Sequence, residues 1–147
     1  MFKIKEDYLV SIKSCHKLSD HNDNLSIQTV GTFKEKSEKK YIIYKEYNDE
    51  FPEDFKTCII KIEKDVVTLI KNGVTQSRLI LEKDKRHCSP YYTDFGMLMM
   101  GIFTKKIIFS SSNDIINLKL EYLLDLNSGF VGTNEIDITL KKKETNY

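Results

Sequence analysis

The sequence lacks alanine, a residue with very high intrinsic helix propensity, at all of its 147 positions. It is rich instead in isoleucine, valine, threonine, tyrosine and phenylalanine, whose side chains fit the half-buried surface of a β-sheet. No stretch has the helical spacing of apolar residues that a crossover between parallel strands would need. The composition therefore predicts an all-β protein with antiparallel strands.

Net charge is also nearly absent, because 23 lysine and arginine residues are balanced by 22 acidic residues, which leaves a net charge of +1. A protein that binds nucleic acid through phosphates carries a basic surface, and the lysine runs here are interrupted by glutamates or lie near the carboxyl terminus. We therefore expect no nucleic-acid partner. The hydrophobic content of 40% is that of an ordinary globular domain, which predicts one domain over residues 1–147.

Cysteines are few and widely spaced, at Cys15, Cys58 and Cys88, and none is in a C-x-x-C motif. This spacing predicts reduced thiols and disfavours a disulfide framework or a zinc site. The first residues lack the apolar run of a signal peptide, and no segment is long enough to span a membrane as a helix. We expect a cytoplasmic protein that has no membrane contact and no cofactor.

Alternating apolar and polar residues recur between turn signals from Tyr8 onward. The strongest hairpin signal is Asn72-Gly73, since a type I′ turn needs positive φ at both central residues. A chain of such hairpins predicts a single up-and-down antiparallel barrel of about 8–10 strands, whose closure removes exposed edges, with a two-sheet sandwich as the alternative. The predicted strands cover residues 8–15, 25–33, 41–47, 55–63, 66–71, 74–82, 86–93, 95–103, 107–109, 115–126 and 130–140.

The densest polar cluster lies in the predicted strand 86–93. Because successive strand residues point to opposite faces, its odd-numbered polar residues share one face, unless Pro90 interrupts the alternation. A few polar groups on an apolar wall are typical of a ligand site, and two residues of the third strand could reach the same cavity. The candidate ligand-binding residues are Arg86, His87, Ser89, Tyr91, Thr93, Tyr44 and Glu46.

Arg86 is one of only two arginines in a chain whose other cationic residues are lysines. A guanidinium can hold a carboxylate or phosphate through two parallel hydrogen bonds, so we predict that Arg86 binds the polar end of a ligand. The alternative is that Arg86 pairs with an acidic neighbour such as Glu46 and supports the barrel.

Catalytic and metal-binding signals are weak. His87 and Ser89 have neither a G-x-S-x-G turn nor an evident acidic partner, which disfavours a hydrolytic triad. Cys88 beside His87, like Cys15 beside His16, would point to the opposite side of its strand. We predict no catalytic residue and no metal ligand, and the sequence indicates no enzyme class.

Short motifs follow one another along nearly the whole chain: Gly31-x-Phe33, Tyr41-x-x-Tyr44-x-Glu46, Lys85-Arg86-His87-x-Ser89-x-Tyr91-x-Thr93-x-Phe95-Gly96, Thr104 and Asn134-Glu135. In this order they resemble the YwiB-like family of uncharacterised bacterial β-barrel proteins. The resemblance implies a calycin-like or lipocalin-like barrel from a Gram-positive bacterium. It implies no particular activity, since members of the family have none established and a fold does not determine function.

Two functions compete. The first is a cytoplasmic barrel that binds a small molecule in a lipocalin-like cavity, with the segment 86–93 at the polar end of the ligand. The second is a protein–protein interaction module, either a homodimer or a partner-binding protein, with a filled barrel and a contact face such as 95–103. An open cavity with convergent polar groups favours the first, and an exposed apolar patch over a filled core favours the second.

Overall fold

A computed structural model describes residues 7–47, 50–51, 53–72 and 76–144. These residues form ten β-strands and no helix, which confirms the all-β prediction. The part of the chain that the structure describes accordingly contains no helix able to cross a membrane. The strands are β1 (Tyr8–Lys17), β2 (Asn22–Lys36), β3 (Lys39–Tyr47), β4 (Phe55–Glu63), β5 (Val66–Asn72), β6 (Gln76–Glu82), β7 (Arg86–Thr93), β8 (Gly96–Ser112), β9 (Ile115–Leu126) and β10 (Gly129–Lys142).

All ten strands belong to one antiparallel sheet in the order β6-β5-β4-β3-β2-β1-β10-β9-β8-β7. Strands that neighbour in sequence also pair in space, except β6 and β7, which are the two ends of the sheet, and the first strand pairs with the last. The two ends of the sheet meet where Lys83 bridges Thr104, and the Asp84 amide donates to the Thr104 carbonyl at 2.8 Å. The fold is therefore a nearly closed up-and-down barrel, as predicted, and not a two-sheet sandwich.

Strand β2 changes partner at Gly31. Its residues Asn22 to Gly31 pair with β1, and its residues Gly31 to Lys36 pair with β3. The backbones approach closely at this point, since a Cβ on Gly31 would lie 2.4 Å from the Ile43 carbonyl oxygen. Among the described residues nothing pairs with the other edge of the segment Asn22–Val30, so the barrel wall opens between β2 and the end of β3.

The core lies on the inner face of the strands. Alternation places residues such as Ile42, Val67, Leu81, Leu118 and Leu140 inside, where each side chain is inaccessible to solvent. Complete burial of such a side chain contributes roughly 1.5–3 kcal/mol relative to its exposure. The interior is thus held by aliphatic packing from strands all around the barrel.

Two predicted strand boundaries were wrong. The segments 95–103 and 107–109 form one strand, β8, interrupted by a β-bulge between Thr104 and Lys106. The bulge adds one residue, so the inward-facing residues have even numbers before it (Ile102) and odd numbers after it (Ile107). The alternation of apolar and polar residues in the sequence therefore resembles that of two separate strands. Phe95 is not in a strand but is fully exposed in the turn before Gly96.

The predicted pairing of β5 with β6 is confirmed, but its register differs from that of a two-residue loop. Lys71 pairs with Ser77 and Asn72 with Gln76. A turn with Asn72-Gly73 at its centre would instead pair Lys71 with Val74. Three residues, 73–75, therefore separate the paired strand ends, which contradicts a two-residue turn centred on Asn72-Gly73; residues 73–75 themselves lie outside the described residues.

Candidate functional site

Arg86 lies on the outer face of the barrel. Its Nε donates to Asp125 Oδ2 at 3.0 Å and its Nη2 donates to Asp125 Oδ1 at 2.7 Å. The hydrogen bonds from Arg86 hold the pKa of Asp125 below its ordinary value. The guanidinium therefore makes the bidentate contact expected of it, but with a carboxylate of β9 and not with Glu46.

The other predicted residues of β7 do not form one cluster. The register runs unbroken through the Pro90–Met99 pair, so His87, Ser89, Tyr91 and Thr93 do share a face. His87 Nε2 contacts Glu82 Oε1 at 2.9 Å, and this hydrogen bond lowers the pKa of Glu82. Ser89 is partly buried opposite Met100.

The far end of β7 belongs to a hairpin turn. Thr93 Oγ1 donates to the Gly96 carbonyl at 2.7 Å and accepts from the Phe95 amide at 3.2 Å. Tyr91 is half exposed nearby on the same hairpin. These contacts give Thr93 a turn-stabilising role and leave Tyr91 and Thr93 away from the interior.

Tyr44 and Glu46 do line an interior cavity, which we call the mouth cavity. It has a volume of about 220 Å³ and lies where the barrel wall opens between β2 and β3. Its wall is mainly aliphatic, with Ile12, Ile27, Leu69, Leu79, Ile136 and Ile138. Its polar residues are Ser14, Tyr44, Glu46, Cys58, Lys71, Ser77 and Tyr122.

One polar cluster of the mouth cavity centres on Glu46. Its Oε2 lies 3.3 Å from Lys71 Nζ and accepts a hydrogen bond from Cys58 Sγ at 3.5 Å. Burial raises the pKa of Cys58 to about 11 and raises that of the adjacent Tyr44 as well. Both groups are therefore neutral at pH 7, and neither is an activated nucleophile.

A second cluster reaches the cavity from β1, β9 and β10. Asn134 Nδ2 donates to the Tyr122 hydroxyl oxygen at 2.9 Å, and Asn134 Oδ1 is hydrogen-bonded to His16 Nδ1. Burial raises the pKa of Tyr122, so its hydroxyl stays protonated. Because the oxygen already accepts from Asn134, the phenolic proton is left to donate to another group.

Tyr122 lines two adjoining cavities. An adjoining space of about 250 Å³ is lined by His16, Asn134 and Tyr122, and it shares Ser14 and Leu25 with the mouth cavity. A third space, a groove of about 750 Å³, shares Ser14, Leu25, Leu120 and Ile136 with the mouth cavity and also runs over outward-facing charged residues such as Lys13, Lys119, Glu121 and Asp137. Its charges have both signs, and it is more open to solvent than the mouth cavity, whereas small-molecule sites are typically enclosed.

Five residues of the two polar clusters were missed from the sequence: Cys58, Lys71, Tyr122, Asn134 and His16. The register brings Tyr44 opposite Cys58 and Cys58 opposite Lys71, so a correct pairing of β3, β4 and β5 would have identified two of them. Within the described ranges no group of three or more histidine, cysteine or acidic residues could hold a metal ion.

Comparison with known proteins shows the family. The chain has the fold of the ywiB protein from Bacillus subtilis. The crystal structure of that protein superposes on this chain with a TM-score of 0.78, and the match has 17% sequence identity and covers 96% of each chain. No curated protein matches the sequence. A family model described as a domain of unknown function, DUF1934, matches residues 10–138. The chain therefore belongs to the DUF1934 family, as its resemblance to YwiB-like proteins predicted.

Proposed function

We propose that the protein binds a small, uncharged amphipathic molecule in the mouth cavity. The observation that carries the proposal is the Tyr122 hydroxyl, a buried donor at the edge of an aliphatic cavity. Asn134 orients this hydroxyl, because its Nδ2 donates to the hydroxyl oxygen at 2.9 Å. Pockets for drug-sized ligands measure roughly 300–1,000 Å³, so a cavity of about 220 Å³ suits a smaller molecule.

The charges of the cavity favour an uncharged ligand. Glu46 and Lys71 lie 3.3 Å apart and neutralise each other, so neither is an unpaired counterion for a charged ligand. Burial of an unpaired charge is costly, whereas a carbonyl oxygen can accept the free proton of Tyr122. A molecule with an aliphatic body and one neutral acceptor matches both the wall and the donor.

Access is provided by the divergence of β2 from β3. The last ladder pair joins Gly31 to Tyr44, and Thr29 Oγ1 donates to the Lys45 carbonyl at 2.9 Å just beyond it. Leu25 and Ile27 follow along β2 and line the cavity. In the single chain, a ligand that enters between β2 and the strands β3 to β5 therefore breaks no ladder hydrogen bond.

Thermal denaturation with 2-octanone, octanoate and octylamine tests the proposal, because the three probes differ mainly in the charge of the polar end. We expect 2-octanone to raise the melting temperature with concentration and the charged probes to have little effect. Absence of stabilisation by all three would contradict binding in this cavity. Stronger stabilisation by a charged probe would contradict the uncharged class.

Two matched variants locate the bound ketone. Tyr122→Phe removes the hydroxyl, which is both the donor to the ligand and the acceptor of Asn134 Nδ2, and we expect about tenfold weaker binding of 2-octanone, the loss of one net hydrogen bond to the ligand. Tyr92→Phe makes the same change on the exposed β7–β8 hairpin, where it should leave binding unchanged. Equal affinity of both variants would show that Tyr122 does not contact the ligand.

The second candidate function is a protein–protein interaction module. The observation that favours it is the β7–β8 hairpin, which exposes Tyr91, Tyr92, Phe95, Met97 and Met99. Exposed apolar patches of this kind mark interaction surfaces. The ketone titration separates the two candidates, since an interaction module without a ligand predicts no specific binding that depends on Tyr122.

A further inference from the structure

Among the described residues, no strand pairs with the outer edge of β2 over Asn22–Val30, where the Thr29 Oγ1 to Lys45 carbonyl hydrogen bond is the contact made. Natural sheets protect free edges with lysine, proline or β-bulges. This segment contains no lysine, arginine or proline, although the chain has 23 lysine and arginine residues, and its register with β1 is continuous from Asn22 to Gly31. An edge without these features is suited to pairing with another strand.

The other free edges differ from it. Strands β6 and β7 have their open edges at the seam, where the Lys83–Thr104 bridge brings the two ends of the sheet together. Strand β7 also carries Pro90, which has no N–H to donate to a further strand. Of these three edges in the described part of the chain, the β2 edge is therefore the one best suited to pairing with another strand.

The β2 edge is complementary to itself. If two copies pair antiparallel about a two-fold axis at Ser26, Leu25 lies opposite the partner's Ile27, and Asn24 lies opposite the partner's Gln28. Aliphatic side chains then meet on one face and amides on the other, and no like charges oppose each other. Leu25, which is 59% exposed in the single chain, would be covered in this arrangement.

We propose that the protein forms a two-fold symmetric dimer through antiparallel pairing of Asn24–Gln28 with the same segment of a second copy. Two-fold dimers are the commonest closed assemblies, and residue-for-residue pairing about one axis is the form they require. The pairing lies beyond Thr29, the point where β3 still contacts β2 through Lys45. It would extend each sheet into that of the other copy.

Sedimentation of the full chain and of two lysine variants tests the dimer. Ser26→Lys places two lysines opposite each other at the axis, and we expect monomers at concentrations where the wild type is dimeric. Tyr92→Lys puts the same charge on the exposed hairpin and should stay dimeric. A monomeric wild type would overturn the proposal, and so would a dimer broken by Tyr92→Lys but not by Ser26→Lys, which would place the interface on the hairpin.

A disulfide trap tests the register. With Cys15 and Cys88 replaced by serine, Ser26→Cys should form an intermolecular disulfide on mild oxidation, because paired Cα atoms across an antiparallel ladder lie within disulfide reach. Gln28→Cys in the same background places the two cysteines four residues out of register, about 13 Å apart, and should not cross-link. Equal cross-linking of both variants, or cross-linking of Gln28→Cys alone, would overturn this pairing.

Discussion

Arg86 and Asp125 form a bidentate ion pair across Gly101, which lies on the strand between them. The two hydrogen bonds measure 3.0 and 2.7 Å and join β7 to β9 over the outer face of β8. A Cβ on Gly101 would lie 2.4 Å from Arg86 Nη2 and 2.4 Å from Asp125 Oδ2. The ion pair therefore holds the edge strand β7 against the rest of the sheet beside the seam of the barrel. The geometry of the pair requires that position 101 has no side chain.

Arg86→Lys should lower the melting temperature by a few degrees, because lysine cannot reproduce two parallel hydrogen bonds to one carboxylate. Binding of 2-octanone should be unchanged, since Arg86 lies outside the mouth cavity. Arg78→Lys, at the only other arginine, should change neither quantity. Loss of ketone binding at an unchanged melting temperature would instead place Arg86 in the ligand site.

Gly101→Ala tests the space between the ion-paired side chains. The new methyl group would force the ends of the Arg86 and Asp125 side chains apart and break their bidentate contact, and we expect a loss in the free energy of unfolding similar to that of Arg86→Lys. Gly129→Ala is the matched control, because a Cβ there meets Leu126 O at an ordinary 3.4 Å. Urea denaturation measures both, and equal stability of the two variants would contradict the close packing.

The ion pair also predicts a pH dependence. The folded-state pKa of Asp125 is held below its ordinary value of 3.8, so the stabilisation is complete above that pH and is lost as the pH falls through the folded-state pKa. The difference in melting temperature between the wild type and Asp125→Asn should therefore shrink below pH 3.8. Other carboxylates titrate equally in both proteins, so a difference that stays constant down to pH 2 would contradict this role.

Local pattern was enough to predict most strands, but not the site. Residues 55–63 and 115–126 match β4 and β9 at both ends, because one buried face imposes strict alternation between turn residues. The site depends on pairing between distant strands, as in the contact of His16 with Asn134, which lie 118 residues apart. Single-sequence periodicity contains no information on register, so Tyr44 and Glu46 were predicted without their partners.

Two leucines, one inside the barrel and one outside it, test which face of the strands forms the core. Leu118 is fully buried within the barrel and Leu9 is about half exposed on its outer face. Leu118→Ala should cost about 2–5 kcal/mol, since it removes buried methyl groups and leaves a cavity. Leu9→Ala should cost much less, and a similar loss for both variants in urea denaturation would contradict the assignment of the inner face.

The three thiols, all free, should differ sharply in reactivity. Cys88 is exposed, whereas Cys58 is buried in the mouth cavity, donates to Glu46 and has a pKa raised to about 11 by burial. The thiolate is the reactive form, so at pH 7.5 iodoacetamide should alkylate Cys88 in the folded protein and reach Cys58 only after denaturation.

Peptide mass spectrometry over time measures both rates in one sample, and Cys88→Ser shows whether modification at Cys58 depends on the exposed thiol. Because bound 2-octanone would occupy the space beside Cys58, it should slow any residual labelling there without changing the rate at Cys88. Comparable rates at the two cysteines in the native protein would mean that Cys58 is open to solvent and that the cavity wall described here is wrong.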